Sequence, residues 1–176
     1  MPVFRDYIEY SEKFLDEARI KDQDWSAKPY IIGSILFSWI AMESFINNRM
    51  ADFAALPEGY LSEHEKGFLQ EKQVKLQIAG KNAGKFIVSN QDSYVKIEEK
   101  LLFLISKCGK SLSVPIKTSN IWTPLKQIKK IRDSLTHPRV GSDSEISIDD
   151  AEKALWVSKR IIEILSLELW NEQIKW

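Results

Sequence analysis

Cysteine is nearly absent: one residue in 176, Cys108. An internal disulfide is therefore excluded, and a reducing cytoplasm fits. Cys108 closes the apolar run "LLFLISKCGK", where a buried structural thiol is the expected role. Histidine is scarce too, with only His64 and His137, so neither a structural zinc site nor another metal or cofactor is expected. No charge sign dominates: 25 Lys and Arg face 25 Asp and Glu. That balance excludes a global basic field, so any nucleic-acid contact must be local. A long hydrophobic run is also missing. The longest uncharged stretch, "PYIIGSILFSWIAM" (Pro29–Met42), is short for a bilayer crossing and suits a buried helix. The opening "MPVFRDYIEYSEKF" carries charge from its fifth residue and does not read as a secretory signal. A soluble, cytoplasmic chain with no membrane partner is expected.

Apolar residues recur at intervals of three and four along most of the chain, which predicts helices. The first covers Val3–Arg19, with Phe4, Ile8, Ser11, Leu15 and Ala18 on one side. Pro29 sits in the first turn of a second, reaching about Phe53 before Pro57. "SEHE", Ser62–Glu65, has reciprocal capping-box spacing and should start a third helix reaching about Ala79. "GKNAGKFIVSNQDS" reads as a loop with a short extended piece at Phe86–Val88. A fourth helix is expected over Ser93–Cys108, closed by Gly109. Thr123–Pro124 supplies an N-cap and first-turn proline for a fifth. The acidic loop "GSDSEISIDD" then leads to a last helix over Asp149–Asn171. The expected fold is all-α: one domain over 1–176, a helical bundle of four main helices with additional helix and loop insertions.

One segment breaks the pattern of polar outside and apolar inside. In "KQIKKIRDSLTHPRV", Leu125, Ile128, Ile131 and Leu135 form a stripe on a helical wheel, and Arg132 falls inside it. Burying an unpaired guanidinium costs several kcal/mol, so Arg132 needs a partner. Two readings stand: a structural ion pair with Glu43, or a cleft in which Arg132 awaits an anion. On the second helix, Ile35, Trp39, Met42, Ile46, Met50 and Phe53 form the apolar centre. Glu43 and Asn47 flank it, four residues apart, and on that shoulder both need hydrogen-bond partners. Glu43, Asn47 and Arg132 are candidates to meet at one inter-helix site. His137 precedes a proline, which disfavours helical dihedrals and places the imidazole at a helix terminus. His64 lies in the capping turn and reads as a surface residue.

Arg132-Asp133-Ser134-Leu135-Thr136-His137 resembles the Arg-polar-xxx-His signature of HEPN domains. These are α-helical bundles of prokaryotic toxins, phage-defence proteins and RNA-processing nucleases. Asp133 fits the polar position, and "AMESFINNRM" is similar to that family's polar-flanked helix. The resemblance covers the four longer helices; Leu56–Trp122 exceeds a minimal member. It implies a metal-independent endoribonuclease with Arg132 and His137 as catalytic residues. Asp133 would orient one of them, and Ser134 and Thr136 would donate to phosphate. RNA would be the substrate, and two motifs would face each other across a homodimer. A small nucleotidyltransferase is the kind of antitoxin such a toxin accompanies. Lys126, Lys129, Lys130, Arg132 and Arg139 outnumber Asp133 locally, which suits phosphate. The competing readings are a non-catalytic relative that binds RNA, a nucleotide or a protein, and a purely structural helical domain.

The final helix carries two stripes. Ala151, Ala154, Leu155, Ile161, Ile162, Leu165 and Leu169 form a core face. Trp156, Leu167, Trp170 and Ile174 lie opposite, among Glu152, Lys159, Arg160 and Glu163. A core helix needs only one such stripe. The second either covers the long connection within the chain or forms a homodimer contact.

Overall fold

The three-and-four periodicity becomes six α-helices in the computed structural model, which describes residues 3–21, 25–78, 81, 83–107, 115–137, 145–171, 173–174 and 176. The order is α1 (Val3–Ile20), α2 (Lys28–Ala54), α3 (Glu63–Leu69), β1 (Lys72–Leu76), β2 (Phe86–Asp92), α4 (Ile97–Lys107), α5 (Trp122–Thr136) and α6 (Ile148–Trp170). The strands form one antiparallel pair, and the chain is predominantly helical. It divides into two compact units, Met1–Phe45 with Cys108–Trp176, and Ile46–Lys107. The division falls within α2.

In the first unit α1 buries Phe4, Ile8, Ser11, Leu15 and Ala18, the face its spacing predicts. α2 buries Ile31, Ile35, Trp39, Met42 and Phe45 there, and Phe45 meets the Phe4 ring edge-on at 5.0 Å. Small residues let α1 and α2 approach closely. Ser11 Oγ donates to the Ser34 carbonyl at 3.0 Å or shares a proton with the Ser34 and Ser38 hydroxyls at 3.1 and 2.6 Å. All three serines are fully buried, so these hydrogen bonds replace the lost water. A Cβ on Gly33 would lie 2.5 Å from the Phe14 ring, which explains a glycine inside the helix. By length and composition α2 could cross a membrane, yet half of its most apolar window is buried inside this chain.

α5 contributes Leu125 and Ile128 to the same core, and α6 contributes Ala151, Ala154, Val157, Ile161, Ile162 and Leu165. The start of α5 differs from expectation. Its N-cap is Ile121, without a side-chain cap, and Thr123 lies inside the helix. Pro124 still falls within the first turn, where no backbone N–H is required. α6 begins with a capping box that the acidic loop concealed: Ser147 Oγ accepts from Asp150 N–H, and the Asp150 carboxylate accepts from Ser147 N–H.

In the second unit the Ser62–Glu65 capping box forms as its spacing predicts. The helix it starts stops at Leu69 instead of running to Ala79. Glu71 takes a left-handed conformation (φ 52°), and the chain then extends as β1. The reason lies in "QVKLQI", where Val74, Leu76 and Ile78 alternate with polar residues at period two. β1 pairs Val74 with Val88, Lys75 with Ile87 and Leu76 with Phe86, with an irregularity between Lys72 and Val74. β2 therefore extends past the expected Phe86–Val88, to Asp92. A Cβ on Gly67 would collide with a Val74 methyl, so the hairpin rests directly on α3. α4 starts at Ile97, later than Ser93. The expected cap at Gly109, and Cys108 before it, lie outside the described residues.

Glu65 does two jobs. It closes the α3 capping box and pairs with Lys107 at 2.5 Å. Lys107, then the Ser62 N–H and hydroxyl, hold its carboxyl down from 4.5 to about 2. A depressed folded pKa adds stability above pH 4.5 that is lost as pH falls toward 2. Thermal melts across that window should show Glu65→Gln with a shallower acid decline than the parent. Parallel declines would contradict the assignment.

Candidate functional site

α5 is amphipathic, and its core stripe carries Arg132 toward α2. The Arg132 side chain is 27 % exposed and has three neighbours. Nη1 donates to Asp133 Oδ1 at 2.9 Å. Nη2 lies 3.6 Å from Glu43 Oε2, an ion-pair contact longer than a hydrogen bond. The guanidinium carbon stands 5.4 Å from the centroid of the Trp39 ring, within cation–π range. Trp39 is buried, and its indole N–H has no acceptor among the described residues. The pairing of Arg132 with Glu43 is thus present, with Asp133 as the closer carboxylate. Trp39, which apolar spacing places at the centre of α2, is the surface beneath the guanidinium, and no sequence pattern ties the two together.

His137 is the C-cap of α5, at φ −131° and ψ 64°. Its backbone N–H donates to the Asp133 carbonyl at 3.0 Å, completing the last turn while the residue stays exposed. The imidazole therefore leaves from a helix end. The Thr136 hydroxyl donates to the Arg132 carbonyl at 3.1 Å, and Ser134 Oγ donates to the Ile131 carbonyl at 2.7 Å. Both hydroxyls bond their own helix here. Lys126 and Lys130 are exposed on the same helix.

Asn47 has its own partner. Its side-chain oxygen accepts from Lys100 Nζ at 2.9 Å, and Glu71 Oε1 lies 2.9 Å from the same ammonium. Lys100 is 5 % exposed, the only charged side chain so buried among the described residues. Its signal was readable: Lys100 sits three residues after Ile97 and four before Leu104, both buried. Arg132 is the same kind of anomaly, a cation within an apolar stripe. His64 packs its ring on Phe86, with centroids 4.6 Å apart. Among the described residues, no group of three or more His, Cys, Asp or Glu is placed to hold a metal ion.

No family model matches the chain, and neither a curated protein nor a solved structure matches it.

Loss of the Glu43 charge tests how Arg132 is held. Removing one partner of a well-buried pair costs about 3–5 kcal/mol. Here the side chains are 27 % and 35 % exposed and the contact is long, so screening reduces the cost to about 1 kcal/mol or less. Glu43→Gln should lower the melting temperature by about 2–4 °C. An unchanged melt would mean that Asp133 and Trp39 suffice to hold Arg132.

Proposed function

We propose that this chain is a HEPN-like, metal-independent endoribonuclease of the kind found in toxin–antitoxin and phage-defence systems. One observation carries the reading: a part-buried arginine, braced by Asp133, Glu43 and Trp39, lies five residues before an exposed imidazole at the end of α5. The four longest helices, α1, α2, α5 and α6, are read as the family's bundle, and the cytoplasm as its location.

The chemistry follows from the side chains. The 2′-hydroxyl of the RNA attacks the adjacent phosphorus, and the bond to the 5′-oxygen of the next nucleotide breaks. The products are a 2′,3′-cyclic phosphate and a 5′-hydroxyl. His137 takes the 2′-proton or supplies the 5′-proton, since imidazole does either near neutral pH. The guanidinium of Arg132 stabilises the charge gathering on the phosphoryl oxygens. Asp133 holds Arg132 in place. One chain has one motif histidine, so a homodimer supplies the second. The experiment is incubation of purified protein with RNA in chelator, followed by identification of the new ends.

A second reading has an observation of its own. Asp133 and Glu43 already occupy the Arg132 guanidinium, which suits a non-catalytic module that binds RNA, a nucleotide or a protein. Under it, RNA stays intact in the same incubation.

A further inference from the structure

The hairpin of the second unit has one face against α3 and another turned away. Val74 touches Gly67, and Phe86 meets His64, so the Val74, Leu76, Phe86 and Val88 side belongs to α3. Cross-strand partners share a face, so Lys75 and Ile87 point the other way. Two residues further along, Gln77 exchanges backbone hydrogen bonds at the turn, its N–H donating to the Lys85 carbonyl at 2.9 Å. Lys85 therefore lies diagonal to Lys75 on one face, about 7 Å away. Gln91 is on that face too, its side-chain oxygen accepting from Lys75 Nζ at 2.6 Å.

The charge here is one-sided. From Lys72 to Gln91 the chain holds four lysines and no acidic residue. Lys72 is neutralised by Asp92, but Lys75 has a neutral partner and keeps its charge exposed. Lys81 and Lys85 are exposed and have no ion-pair partner among the described residues. Gln73 stands two residues before Lys75 on the same strand, so with Gln91 it adds a second amide beside these cations.

We infer that this hairpin face binds the backbone of single-stranded RNA. Three exposed ammonium groups, Lys75 and Lys85 on this face and Lys81 in the turn, have no carboxylate partner among the described residues and suit a chain of phosphates, and the amides suit ribose hydroxyls and base edges. An anionic membrane would use the charge but leave the amides without a role. The inference extends the ribonuclease reading by adding a binding surface outside the α5 motif, and its test is separable from that reading.

The test uses the full chain with His137→Ala, which prevents cleavage, and a fluorescein-labelled single-stranded RNA. Anisotropy titrations are run at several salt concentrations, with and without Lys75→Gln, Lys81→Gln and Lys85→Gln together. Each phosphate contact contributes about 0.7 to the salt slope, so the triple change should lower it by about 2 and weaken binding by at least about tenfold. Its melting temperature should match the parent's, since all three side chains are exposed. Unchanged affinity and slope would overturn the inference, as would a parent that does not bind RNA. So would a triple variant that loses only its binding to phosphatidylserine vesicles. Lysine-dependent binding by a chain whose unmodified form leaves RNA intact would retain the hairpin surface and reject the nuclease.

Discussion

His137→Ala protein should bind RNA and leave it uncut, with a melting curve that overlays the parent's. The imidazole projects from the C-cap of α5 and is exposed, so its loss removes no core packing. General acid–base catalysis contributes about 10²–10⁴ to rate, and a site with one histidine per chain has no replacement in that role. Arg132→Ala should lose about 10²–10³, the usual effect of removing one preorganised charge donor. Unlike His137→Ala, it should also melt earlier, because Glu43 and Asp133 lose their shared partner and Trp39 its cation. Arg132→Lys separates charge from geometry. Lysine keeps the cation but not the planar fork, so rate should stay low while the melt partly recovers. Full activity in His137→Ala would remove the proposed mechanism.

The second large effect concerns assembly. Trp156 and Leu167 of α6 are 43 % and 52 % exposed, so the described residues of the first unit leave the second stripe uncovered at these positions. Polar contacts frame it: Arg160 pairs with Glu163 at 3.2 Å, and Trp176 Nε1 donates to Glu163 Oε1 at 2.6 Å. An aromatic anchor within a polar rim is how binding energy concentrates at interfaces, and two-fold pairs are the commonest assemblies. Light scattering should give the mass of two chains at micromolar concentration. Trp156→Ser with Leu167→Ser should give one chain and lose cleavage by at least about a hundredfold, because a single His137 cannot serve as both base and acid. A monomeric parent that still cleaves RNA would refute the dimer.

Helix periodicity was the most legible layer of the sequence. The buried face of α1 and the extent of α2 follow from apolar spacing, because each buries one continuous stripe. Where the structure departs from apolar periodicity, a local device decides it. The helix expected to reach Ala79 ends at Leu69, since Glu71 turns left-handed and the next residues alternate at period two. Ser147 and Asp150 form a capping box inside what reads as an acidic loop. At the site, the partial burial of Arg132 and the helix-terminal position of His137 were legible, one from the wheel and the other from Pro138. The partner of Asn47 was not. Lys100 comes from a segment far along the chain, and no local pattern ties the two together.

Purified parent protein, incubated with mixed RNA in excess chelator, tests the central claim most directly. The expected result is fragments ending in 2′,3′-cyclic phosphate and 5′-hydroxyl, at a rate that chelator does not change and that vanishes in His137→Ala. RNA that remains intact with the parent, or is cut equally by His137→Ala, contradicts it.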